Sequence, residues 1–164
     1  MPNWCANTLT IKGSEKDIKQ LESLLDESKG KHFFDLFVPN SEKANQADSW
    51  YSYNLETYGV KWNCDANDWD VRMDPKESEC SITILFDSAW GPPISLYDKI
   101  LGNESFFSVY AEYFEPGMCF VGSYEDGADS YYEYSKLETI EELYEEIPAE
   151  LIESWGIVEL FQEE

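Results

Sequence analysis

Basic residues are nearly missing from the second part of this chain. Positions 100–164 contain 17 Asp or Glu residues and one base, Lys136, whereas positions 1–99 contain 17 acids and 10 bases. The formal net charge of −23 is therefore concentrated toward the C-terminus. Because binding to nucleic acid needs Lys and Arg near the phosphates, this scarcity argues against direct binding of DNA or RNA. It also argues against attachment to an anionic membrane surface.

Histidine and closely spaced cysteine pairs are also scarce. His32 is the only histidine, and the four cysteines, at positions 5, 64, 80 and 119, form no C-x-x-C motif. A zinc site of the Cys/His type and a Ser–His or Cys–His catalytic pair are therefore not expected. No residue pattern points to another reaction, so we expect a non-enzymatic protein without a metal or cofactor. The cysteines are expected to be reduced and mostly buried.

The sequence has no long apolar run. No stretch approaches the roughly 18 apolar residues that a membrane span requires. The first residues have neither the basic nor the apolar region of a signal peptide, so we expect a cytosolic protein. Hydrophobic residues still make up 43% of the chain and aromatic residues 16%, which indicates a folded domain rather than an acidic disordered tail.

The spacing of the apolar residues predicts a mixed α+β fold. Alternation over 4–11 predicts a strand, and Ser14 is expected to cap a helix that ends at Lys29–Gly30. After a polar loop within 32–50, the patterns predict a short helix over 50–58, a turn-rich segment over 65–76 and a helix over 94–101. The remaining strands are predicted over 58–62, 80–87, 106–115, 118–125 and 129–135.

The last segment is predicted to be helical. Ser135 and Thr139 are each followed three residues later by Glu, and apolar residues then recur at helical spacing. Pro148 is expected to restart the helix and Gly156 to cap it. The element order favours a mainly antiparallel sheet with helices on one face. We expect a domain over 1–135 and an acidic helical extension over 136–164 that packs on it.

Four patches of the sequence resemble the YubB ferredoxin-like domain family, whose small proteins are common in phages and plasmids. They are the opening Met-Pro-Asn-Trp-Cys-Ala-Asn-Thr-Leu-Thr-Ile-Lys-Gly, Tyr58–Trp62, Ser88–Pro93, and Tyr113–Tyr124 with its Glu115, Gly117, Phe120 and Gly122. The patches occur in the same order as in that family, and together they cover residues 1 to about 135. The resemblance implies a ferredoxin-like α+β fold without iron–sulfur chemistry and an origin in a mobile element. It implies no reaction, because the family has no established function.

The acidic C-terminal part predicts a surface that binds a protein. On the predicted terminal helix, glutamates lie opposite the apolar stripe, and further acids follow the preceding strands. Such a surface would attract a host protein with a cationic nucleic-acid groove, for instance in a CRISPR or restriction complex. The residues expected to bind the partner are Glu138, Glu141, Glu142, Glu145, Glu146, Glu125, Asp126 and Asp129. The simpler interpretation is a solvated surface that keeps an aromatic-rich protein soluble.

An aromatic pocket is the alternative prediction. Trp62, Trp69 and Trp90 flank turns, and Ala89–Pro93 follows a strand end, where glycine and proline fix the shape of the chain. A pocket there would bind or process a small molecule or nucleotide. The competing interpretation places Trp62 and Trp90 in the core and gives the prolines only a role in redirecting the chain.

Overall fold

The computed structural model describes residues 2–38, 50–76 and 78–162. The predicted polar loop therefore lies largely outside the described residues, over 39–49. Within the described ranges a 3-10 turn spans Phe33–Leu36. The strands are β1 (Trp4–Gly13), β2 (Ala66–Asp74), β3 (Glu79–Ala89), β4 (Phe106–Glu115), β5 (Phe120–Glu125) and β6 (Ala128–Glu133). The helices are α1 (Glu15–Ser28), α2 (Trp50–Thr57), α3 (Ile94–Leu101), α4 (Ile140–Glu146), α5 (Ala149–Ser154) and α6 (Ile157–Gln162). None of these described helices has the length and apolar character that crossing a bilayer requires.

The six described strands form one antiparallel sheet in the order β2-β3-β1-β4-β5-β6. This confirms the predicted mixed α+β fold with an antiparallel sheet. Successive side chains of a strand project to opposite faces. We call the face that carries Leu9 and Ile11 of β1 the first face. These side chains are fully buried with Ile82 and Ile84 of β3 under α1 and α3.

Helix α1 forms as its sequence predicts. Ser14 is the N-cap, and its hydroxyl accepts the backbone N–H three residues later at 3.2 Å. Ile18, Leu21 and Leu25 lie on one side of the helix and are buried in the core of the first face. Burying each of these side chains contributes about 1.5–3 kcal/mol. Lys29 ends the helix in the left-handed conformation, with φ of 56°.

The C-terminal helices cover the part of the second face that β4 to β6 form, which corrects the prediction of helices on one face only. Phe114 of β4 and Val121 of β5 are paired across the strands and pack against Leu143 of α4 and Ile152 of α5. Tyr113, the neighbour of Phe114 on β4, projects to the first face and is buried as well. Because the C-terminal end of β4 buries Tyr113 on one face and Phe114 on the other, this part of the sheet needs cover on both sides.

The acidic terminal helix, which was predicted to restart at Pro148, is divided into three short helices. Ile147 leaves the helical conformation, with φ of −122° and ψ of 135°, because proline at position 148 disfavours a helical residue before it. Gly156 adopts φ of 62° between α5 and α6. Between the two breaks, each of the three short helices contributes apolar side chains to the same cluster on the second face.

Two predictions around β2 were wrong. Residues 58–62 form bends rather than a strand, and most of the segment predicted to be turn-rich is the edge strand β2. Its composition is polar because the outer edge and one face are exposed, and charged side chains are common on such edges. Pairing with β3 and packing of Trp69 and Val71 on the core hold β2 in place.

Candidate functional site

The predicted partner-binding acids lie on two segments, which we call the acidic segments: 125–129 at the β5–β6 turn, and 138–146 at and within α4. Seven of the eight are exposed, and the eighth, Glu142, is half-buried. The exposed ones are Glu138, Glu141, Glu145, Glu146, Glu125, Asp126 and Asp129. Sequence reasoning therefore predicted their exposure correctly.

Three of these acids also stabilise the fold. Glu142 completes the capping box of α4, in which Thr139 accepts the Glu142 N–H at 3.2 Å and the Glu142 carboxylate accepts the Thr139 N–H at 3.3 Å. Asp126 accepts the backbone N–H of Val109 at 2.8 Å. Asp129 accepts the hydroxyl proton of the buried Tyr113 at 2.6 Å. These roles were not predicted, because they depend on the strand register and on where α4 begins.

Among the described residues, no acid of the acidic segments forms an ion pair. The two ion pairs that these residues form are Lys19–Glu15 at 2.8 Å and Arg72–Asp70 at 3.1 Å, and both lie before residue 100. Lys136 is exposed and takes part in neither pair. Most carboxylates of the acidic segments are therefore exposed without an ion-pair partner among the described residues.

Acids from separate elements act together at Tyr110 on the second face. The pKa of Tyr110 is raised to about 12. Burial is the largest cause, and the charge of Glu112, a hydrogen bond to Glu112, and the charges of Glu150 and Glu125 follow in that order. These three acids come from β4, α5 and β5. Glu150 was not among the predicted residues, and only the packing of α5 on β5 reveals it. The negative field thus extends from the sheet onto the C-terminal helices.

The three tryptophans of the alternative prediction make separate contacts. Trp69 packs on the core and its indole N–H donates to Asp26 at 2.9 Å. Trp62 is 37% exposed, with the Lys61 ammonium 4.7 Å from its ring centroid. Trp90 is 48% exposed and adopts φ of 71°, a left-handed conformation that is rare for a bulky residue. Neither Trp62 nor Trp90 is therefore a buried core residue.

Trp4, which is not one of the three predicted tryptophans, lines an open pocket of about 440 Å³. The pocket lies where β1 begins, β3 ends and the chain enters β2. Its lining residues are Trp4, His32, Asn63, Cys64, Asp65, Asn67 and Asp87. Sequence reasoning missed this pocket because its residues come from four distant stretches, which only the strand register and the turn before β2 bring together.

A buried polar network holds the same end of the sheet from the first face. The Tyr97 hydroxyl donates to the Asn7 side-chain oxygen at 2.8 Å, and the Asn7 amide donates to the Cys5 carbonyl at 2.9 Å and to Ser88 Oγ at 2.8 Å. Ser88 in turn donates to the Gly91 carbonyl at 2.5 Å. Three distant stretches of the chain meet here, because the Trp90 N–H also donates to the Asn3 carbonyl and Gly117 lies beside the Asn3 amide.

Thiol chemistry is suppressed at two cysteines. Burial raises the pKa of the Cys5 thiol and of the Cys64 thiol to about 12, so both are protonated at neutral pH. Within residues 2–38, 50–76 and 78–162, no three His, Cys, Asp or Glu side chains are grouped as a metal site.

In comparisons with known proteins, no protein-family model, no curated protein and no solved structure matches the chain.

Proposed function

We infer that this chain is a non-enzymatic protein of a phage or related mobile element, and that it binds a host protein through its acidic segments. The observation that carries the inference is the set of exposed acids in the acidic segments, none of which forms an ion pair among the described residues. A surface needed only for solubility usually mixes both signs of charge. Here a single base accompanies 17 acids.

The partner is a host protein with a cationic nucleic-acid groove, such as a component of a CRISPR or restriction system. Glutamates four apart on a helix, such as Glu141 and Glu145, rise about 6 Å along its axis. That rise is comparable with two phosphate steps of one DNA strand, at about 3.4 Å each. The acidic segments thus occupy the groove in place of the nucleic acid, and the opposite charges mainly raise the association rate.

The fold and location belong to the same proposal. The sheet order β2-β3-β1-β4, with α1 after β1 and α3 after β3, supports a ferredoxin-like core to which β5, β6 and the last three helices are added. The resemblance to the YubB ferredoxin-like domain family supports a mobile-element origin. The protein acts in the host cytosol, and it binds neither nucleic acid directly nor a membrane.

A salt-dependent pull-down with matched charge variants tests this function. Glu141, Glu145 and Glu146 are replaced by Gln, and Glu142 is left unchanged because it caps α4. The control replaces Glu22, Glu27 and Glu56, three acids far from the C-terminal part in sequence, by Gln. Both variants have the same net charge. We expect wild type and control to recover a DNA- or RNA-binding protein from bacterial lysate at low salt, and the acidic-segment variant to lose it.

Competition then tests the position of the contact. Duplex nucleic acid added to the complex should displace the protein if both occupy one groove. If the control and the acidic-segment variant lose the partner equally, binding depends only on the net charge of the protein and not on the acidic segments. A partner that resists high salt, or no partner at all, would contradict the proposal and leave the acids as a solubilising surface.

A further inference from the structure

The pocket of about 440 Å³ combines an exposed aromatic ring with a carboxylate on the same face of the sheet. Trp4 pairs with Ala89 and Ala6 pairs with Asp87, so Trp4 and Asp87 occupy diagonal positions across β1 and β3. Diagonal side chains of this kind are within reach of each other. Trp4 is 52% exposed and is one of the residues that line the pocket.

A second carboxylate lines the pocket from the loop before β2. Asp65 accepts the backbone N–H of His32 through Oδ1 at 3.0 Å, which orients the carboxylate. Asp87 accepts the Asn67 side-chain N–H through Oδ2 at 3.2 Å. A carboxylate has about four acceptor positions, so both acids keep capacity for further donors. No lysine or arginine is among the seven lining residues.

We propose that this pocket binds the guanidinium group of a small molecule. A guanidinium is planar and cationic, so it stacks on an indole face while its edge donates N–H groups to carboxylates. Trp4 offers the indole face, and Asp65 and Asp87 offer the acceptors. Charge-assisted hydrogen bonds of this type are about twice as strong as neutral ones. The volume is within the range of small-molecule sites, about 300–1,000 Å³.

The site is independent of the proposed partner-binding function. It uses the start of β1, the end of β3 and the loop before β2, whereas the acidic segments lie after residue 124. The two can be disabled separately, because no residue belongs to both.

The test compares two dications by calorimetric titration: agmatine, which carries a guanidinium, and cadaverine, which carries only ammonium groups. Any cation is attracted to a protein of net charge −23, so the guanidinium preference is the informative quantity. We expect agmatine to bind at least about fivefold more tightly than cadaverine. In amide and indole NMR spectra, agmatine should shift the Trp4 indole N–H and the Asn67 side-chain amide most strongly.

Variants then assign the contacts. Asp87→Asn should weaken agmatine binding about tenfold, and Trp4→Leu about threefold. Glu104→Gln makes the same charge change at an exposed residue that is distant in sequence from every lining residue, and it should alter binding less than about twofold. Equal affinities for the two dications would overturn the proposal. So would equal effects of Asp87→Asn and Glu104→Gln, or NMR shifts centred on α4 to α6. The wild-type spectra decide the matter if a variant does not fold.

Discussion

Removing the Tyr97 hydroxyl tests whether the buried network stabilises the end of the sheet. Tyr97 is fully buried and Asn7 is 2% exposed, so Tyr97→Phe leaves the Asn7 side-chain oxygen without its donor and away from water. An unsatisfied buried acceptor costs about 1–3 kcal/mol. For a protein of this size, each kcal/mol lowers the melting temperature by about 2–4 °C. Urea unfolding followed by circular dichroism measures the change.

The matched control is Tyr131→Phe. Tyr131 is 53% exposed, so removing its hydroxyl should change the free energy of unfolding by less than about 0.5 kcal/mol. Equal effects of the two variants would refute the reasoning, because Asn7 would then have another donor. Tyr97→Phe and Ser88→Ala together should cost less than the sum of the single changes, since both act through Asn7.

Three further predictions concern titration, thiol access and capping. Burial raises the pKa of Cys5 and Cys64 from 9.0 to about 12, so on raising the pH the unfolded chain loses these thiol protons before the folded protein does. The midpoint urea concentration of unfolding should therefore fall as pH rises from 9 toward 12, and a constant midpoint would contradict this. Iodoacetamide should modify the half-exposed Cys119 before Cys5 and Cys64 in the folded protein, as mass spectrometry of peptides would show. Thr139→Ala should cost about 0.5–2 kcal/mol by removing the α4 cap, whereas Glu141→Ala, which changes an exposed residue, should have little effect on urea unfolding.

Local sequence patterns predicted the elements whose stability is mostly local. Helix α1 has its cap, its apolar side and its terminating Lys29–Gly30 within one continuous stretch. Strand β3 is β-branched and apolar because both its neighbours are strands and its first face is buried. In such elements propensity, periodicity and turn residues agree, so each can be recognised without knowledge of the rest of the chain.

Elements that depend on distant partners were missed. β2 has a polar sequence and becomes a strand because β3 offers it a pairing edge. The second buried face follows from β4, where Tyr113 and Phe114 are both buried on opposite sides. The pocket is even harder to predict from the sequence, because Trp4, Asp65 and Asp87 come to line one cavity only after β1 and β3 have paired in register. Sequence patterns predicted the exposure of the acids but not the roles of Asp129 and Glu142 in the fold.

Because two separate packed cores lie on opposite faces of the sheet, we expect different parts of the molecule to open independently. The helices α4 to α6 contribute to the core of the second face and not to the main core under α1 and α3. Their release would expose the second face while leaving the larger core closed, so amide protons of this region should exchange as a separate, less protected group. Mutual repulsion of the acids favours that opening, and salt weakens the repulsion. A bound cationic partner would also suppress the opening. Slower hydrogen exchange in α4 to α6 would then detect binding even if no structural change accompanied it.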